Sequence, residues 1–156
     1  MKFIYIPLLV LVALFAGACS RRERVETINT DSAGFAVRGY DAVAFFAENT
    51  AEEGVPSLEY TWNGAKWLFT SAENLEKFKA DPNAYAPQFG GYCAYAVSQG
   101  YTADGDPNIW KIVDGKLYLN YNPKAKEAWE QNLDQYIKDG ERNWKDFQNQ
   151  KPEHKG

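Results

Sequence analysis

Leu58, Tyr60 and Trp62 alternate with Glu59 and Thr61, and beyond Asn63-Gly64 the alternation resumes through Ala65, Trp67 and Phe69. A period of two marks a half-buried strand, and Asn-Gly is the favoured pair for a two-residue type I′ turn. The pattern predicts a hairpin over 58–69 in which Leu58, Tyr60 and Trp62 face Phe69, Trp67 and Ala65, with Glu59, Thr61 and Lys66 on the polar side. A second hairpin is predicted over 110–121 around Asp114-Gly115, pairing Trp110 and Ile112 with Leu119 and Leu117 and leaving Lys111 and Lys116 opposite.

Helical spacing fills the intervals. Ser71 is placed to cap a helix with Glu73 in its first turn and Leu75 and Phe78 turned inward; Asp81-Pro82 stops it and starts a short turn. Asn122-Pro123 opens the longest predicted helix, 123–139, where Ala125, Trp129, Leu133, Tyr136 and Ile137 recur and Gly140 ends the run. Residues 141–148 add a final helical piece with Trp144 and Phe147. The short apolar run from Ala42 to Phe46 reads as a buried strand or turn, and Glu48 to Pro56 as a loop. From Tyr92 to Ser98 a helical turn or two is expected, broken at Gly100, with Tyr92, Tyr95 and Ala96 on one face. Two hairpins with interleaved helices and no strand–helix–strand alternation make a small single α+β domain.

The N-terminus has a different pattern. Lys2 precedes an apolar run from Phe3 to Phe15, too short to span a bilayer comfortably and suited to a signal h-region. It ends in Ala16-Gly17-Ala18-Cys19, a small-small-Cys ending like a bacterial lipobox, with Ala16 where Leu is usual. Lipidation at Cys19 would make it the mature N-terminus and hold the protein to the membrane, facing the periplasm. Ala16-x-Ala18 also fits ordinary secretory cleavage at the same bond, which would give a soluble periplasmic or secreted protein, and a retained signal anchor is the third reading. The expected organisation is a signal peptide at 1–18, a polar tether at 19–34, a domain at 35–148 and a polar tail at 149–156.

Charge and composition narrow the partners. The formal charge is −4, and removal of residues 1–18 leaves 16 bases against 21 acids. Beyond Arg21-Arg22-Glu23-Arg24 there is no basic stripe, so nucleic acid is not an expected partner. Aromatic residues make up 15% of the chain and must supply much of its core. With Cys19 acylated, Cys93 is a lone thiol in an oxidising compartment; with Cys19 free, a Cys19–Cys93 disulfide is open. Asp104-Gly105-Asp106 hints at a calcium loop, but the closing Glu is missing and turn chemistry accounts for it.

Gly39-Tyr40-Asp41-x-Val43-Ala44-x-Phe46, Trp62-Asn63-Gly64, Phe69-x-Ser71, Asp81-Pro82-x-x-Tyr85, Gly90-Gly91-Tyr92-Cys93-Ala94 and Gly115-Lys116-Leu117-Tyr118-Leu119-Asn120-Tyr121 together resemble the exported YHS-domain proteins of bacteria. The resemblance covers Phe35 to Trp144. The wider YHS/TRASH superfamily is associated with sensing and trafficking of copper and other soft metals, through cysteines in an Asp-Pro-Val-Cys and a Phe-Cys-Ser-x-x-Cys segment. Carried over residue by residue, Ala44 stands at the first cysteine position, and Thr70 and Asn74 at the other two. Soft metals need thiolate or imidazole. The mature domain offers Cys93, and the chain's one histidine, His154, lies in the tail. Copper or zinc is therefore disfavoured as a cofactor, and a site using Cys93 with carboxylates, a ligand or a second subunit remains open.

Candidate chemistry gathers on Phe89-Gly90-Gly91-Tyr92-Cys93. Cys93, Tyr92, Asp41 and Tyr40 are the expected ligand-binding residues, with Cys93 as the candidate metal ligand. Tyr40, Tyr92, Tyr95, Tyr118 and Tyr121 are available to line an aromatic pocket, or to fill the core. No catalytic residue is expected, because a thiolate or Ser-His-Asp mechanism needs a base that the domain lacks. Three functions follow: a membrane-tethered periplasmic YHS-type module binding a small ligand or metal near Cys93; a redox or metal-dependent enzyme accessory using Cys93; or a structural lipoprotein that binds another protein.

Overall fold

A computed structural model describes residues 27–149; the signal peptide, Cys19 with its lipidation and disulfide alternatives, and the tail from 150 onward lie outside the described residues. The protein is an α+β domain built on two antiparallel hairpins that form separate two-stranded sheets. In the first, β1 (Val55–Trp62) pairs with β2 (Ala65–Phe69); in the second, β3 (Asp106–Val113) pairs with β4 (Lys116–Asn120). Both turns have the two positive φ angles of a type I′ turn, at Asn63-Gly64 and at Asp114-Gly115. The expected pairs Tyr60–Trp67, Trp62–Ala65, Trp110–Leu119 and Ile112–Leu117 are present. Leu58 does not face Phe69: an irregularity between Val55 and Glu59 shifts the register, and Phe69 pairs with Val55. Extra residues on one strand, three of them here, are invisible to an alternation count.

Among the described residues six α-helices surround the hairpins: α1 (Ala44–Ala47), α2 (Ala72–Ala80), α3 (Pro82–Tyr85), α4 (Ala94–Ser98), α5 (Pro123–Glu130) and α6 (Leu133–Asn149). Ser71 Oγ accepts from the Asn74 amide and Asn122 Oδ1 from the Ala125 amide, so both expected caps form. The run from Ala42 to Phe46 is a turn leading into α1 rather than a strand, because the Asp41 carboxylate takes the amides of Val43 and Ala44 and winds the chain there.

The predicted 123–139 helix is divided at Gln131-Asn132, and the longest helix among the described residues is α6, which runs straight through Gly140. Gly140 is buried against a ring rather than ending a helix. A Cβ there would stand 2.7 Å from Cζ of Phe89. Tyr92 precedes α4 in extended backbone and so does not share a helical face with Tyr95.

β4 is the wall between two cores. Leu117 and Leu119 pack with Phe45, Trp67, Phe69 and Phe78, while Tyr118, on the opposite face, packs with Phe89, Val97 and Trp129 beneath α6. Two-sided burial explains why this strand has few polar positions. Residues 27–34, expected as tether, are built onto the domain: Ile28 joins the first core at 8% exposure, and the Asn29 amide donates to the Gly90 carbonyl at 2.8 Å.

Burial, and then the nearby charges of Glu141 and Asp114, push the Tyr118 hydroxyl up to about 12 from 10.0. A raised acid is neutral in the folded state, so its contribution is complete below pH 10 and is lost as pH rises towards 12. Urea titrations across that window are expected to show falling stability, with Tyr118→Phe removing part of the fall.

Candidate functional site

The four expected site residues fall in four different settings. Asp41 is completely buried, and its carboxylate accepts five hydrogen bonds. Oδ1 accepts from the amides of Val43 (2.8 Å) and Ala44 (3.3 Å); Oδ2 accepts from the Thr70 amide (2.9 Å), the Thr70 hydroxyl (2.8 Å) and Asn74 Nδ2 (2.8 Å). The Ala44 amide, the Thr70 amide and hydroxyl and the Asn74 side-chain amide thus converge on one carboxylate. Every strong acceptor direction of Asp41 is used within the protein, which makes it a structural keystone and not a surface ligand group.

Tyr40 packs on the first core and its hydroxyl lies 3.5 Å from Asn108 Nδ2. Tyr92 is half-buried on the second core, its ring 5.9 Å from that of Trp144. Neither comes to the thiol's cleft.

Cys93 has its own surroundings. The segment Tyr92-Cys93 lies alongside β4 and residues 103–104: its Cys93 amide donates to the Ala103 carbonyl at 2.8 Å, and Cys93 bridges to Leu119. The thiol, 1% exposed, donates to Asn120 Oδ1 at 3.5 Å. Asn120 Oδ1 also takes the Tyr95 amide at 3.1 Å, which fixes the orientation of the side-chain amide. Asn120 Nδ2, completely buried, has no acceptor. Such a group is costly inside a protein and calls for an explanation.

Cys93 lines a cleft of about 290 Å³ together with Tyr95, Tyr101, Tyr121, Lys124 and Ala128. Tyr101 and Tyr121, 53% and 56% exposed, form its open side, and the buried thiol its floor. Tyr95 is held by an edge contact with Tyr136 of α6, ring centres 5.7 Å apart. Asn143 of α6 donates to the carbonyls of Val97 and Ser98, tying down the end of α4. The cleft therefore has a rigid floor and wall with an aromatic mouth. A larger cleft of about 470 Å³ lies between Trp62, Phe89 and Trp144, away from the thiol.

Of the tyrosines named from sequence, Tyr95 and Tyr121 reach this cleft, while Tyr118 is core. Tyr101, Asn120 and Lys124 were not anticipated. Asn120 carried a readable signal: it follows Leu117-Tyr118-Leu119 at a strand position with both faces apolar. Among the described residues no three His, Cys, Asp or Glu side chains come together to hold a metal ion. No helix among them is long and apolar enough to cross a membrane.

Comparison of the chain with protein-family models, curated proteins and solved structures returns no match.

Proposed function

We propose that this chain is an exported, envelope-tethered binding module of YHS type that holds a small organic ligand in the Cys93 cleft and performs no catalysis. The observation that carries the reading is the cleft itself: a buried thiol in its lining, together with two largely exposed tyrosines. Exposed aromatics over a preformed hollow are the usual surface of small-molecule recognition. A base that would turn Cys93 into a nucleophile is missing from its contacts, where the thiol meets an amide oxygen. The donor set also favours an organic ligand over a soft metal, since the cleft offers one thiol and phenols.

A buried thiol reacts slowly. Cys93 in the folded protein is expected to be alkylated by iodoacetamide at least about tenfold more slowly than in urea, with a bound ligand slowing it further. A fragment screen read by backbone amide shifts tests the site: perturbations clustering at residues 93–101 and 120–128 support it. Fragments that bind only between Trp62 and Trp144 would relocate the function to that cleft. Tethering is tested separately, by membrane fractionation of the full chain against Cys19→Ser, which should release the protein if Cys19 carries the lipid.

A further inference from the structure

Resting on the cleft assigned above, we infer that its ligand class is the small organic carboxylate with a planar apolar body, the body lying between Tyr101 and Tyr121 and the anion at Lys124. The lining is aromatic and aliphatic apart from the thiol, Asn122 and one charged group, and that group is the Lys124 ammonium. Lys124 pairs with no carboxylate among the described residues, and of the lysines in that state, with Lys66, Lys126, Lys138 and Lys145, it alone lines the cleft. It also sits in the first turn of α5, a turn with no acidic residue. Aligned peptide dipoles make that end of a helix positive, so a lysine there is unfavourable until an anion joins it. The chain is acidic as a whole, and this is a local reversal of sign.

The rest of the lining leaves that charge unanswered. Asn120 is not part of the lining; its Oδ1 accepts from the Cys93 thiol and the Tyr95 amide and so fixes two of the lining residues in place. Lys124 has no carboxylate partner among the described residues, and no lining side chain is acidic. A ligand that completes the site brings oxygen lone pairs and negative charge, on a body flat enough to lie against phenol rings.

The test uses the full chain in detergent and calorimetric titration with benzoate, phenylacetate and cinnamate, each beside its alcohol, and with acetate. The expected result is saturable binding of at least one aromatic carboxylate, about fivefold or more tighter than its alcohol and than acetate. Lys124→Gln should erase the preference over the alcohol while leaving alcohol binding intact, and Tyr121→Ala should weaken both. Equal binding of acid and alcohol, unchanged in Lys124→Gln, overturns the carboxylate class and leaves the cleft reading standing. Acetate binding as well as the aromatic acids, indifferent to Tyr121→Ala, overturns the planar body. If no carboxylate outbinds its alcohol and fragments also leave residues 93–101 and 120–128 unshifted, both the class and the site are wrong.

Discussion

Asp41→Ala is expected to destabilise the protein by about 3–5 kcal/mol, the range for stripping one partner from a buried charged network. The carboxylate is completely buried and holds five donors from three parts of the chain: the turn into α1, the end of β2 and the first turns of α2. Removing it orphans the amides of Val43 and Thr70 and leaves the Asn74 side chain only its 3.3 Å bond to Thr70 Oγ1, and each buried donor left unmet costs about 1–3 kcal/mol. Asp41→Asn separates charge and acceptor chemistry from size. Whichever way the amide turns, its NH₂ meets backbone N–H donors, of Val43 and Ala44 on one side or of Thr70 on the other. It is therefore expected to lose nearly as much as alanine. Urea unfolding of both variants decides the matter, and an Asn variant within about 1 kcal/mol of the parent would show that the network tolerates an amide.

This network also shows what was legible in the sequence. Local chemistry read well: Asn63-Gly64 and Asp114-Gly115 set both hairpins, and Ser71 and Asn122 cap the helices they were assigned. Signals acting over two to four residues depend little on tertiary context. Asp41 was read as a ligand candidate, but its donors Thr70 and Asn74 lie 29 and 33 positions away. Only the fold brings them together, and doing so turns a candidate ligand into a keystone. The Cys93 cleft failed to read for the same reason. Its members come from α4, the segment after Gly100, the end of β4 and the start of α5, and nothing in their spacing announces a shared hollow. The thiol itself was singled out by scarcity, which identifies a residue and says nothing about its neighbours. Gly140 was misread because helix propensity treats glycine as a terminator, while a helix tolerates one where a ring must come close.

That close approach supplies the second large effect. Phe89 has a φ of 56°, a left-handed conformation uncommon for a bulky residue, and Gly90 follows at 62°. A Cβ at Gly90 would collide with the Thr27 carbonyl, so the strap at residues 27–29 and this turn fit only with glycine between them. The strained residue is held by its ring, which packs 5.8 Å from Tyr118, 6.2 Å from Trp144 and directly on Gly140. Phe89→Ala should therefore cost about 3–5 kcal/mol, since it opens a cavity in the second core and keeps the backbone strain. It should also speed alkylation of Cys93, four residues on, whose burial depends on that turn. Gly140→Ala gives the sharper result. In an exposed helix the change stabilises by about 1 kcal/mol; here the methyl must displace the Phe89 ring, and overpacking of that kind costs about 1–3 kcal/mol. The net effect is expected to be destabilising in the parent. In the Phe89→Ala background, with the ring gone, the same substitution should become stabilising by about 0.5–1 kcal/mol. The reversal of sign between two backgrounds, measured in one double-mutant cycle, isolates the ring–glycine contact from every other property of the helix. A Gly140→Ala variant that stabilises both backgrounds alike would mean that the ring yields freely and that Phe89 is not what holds the turn leading to Cys93.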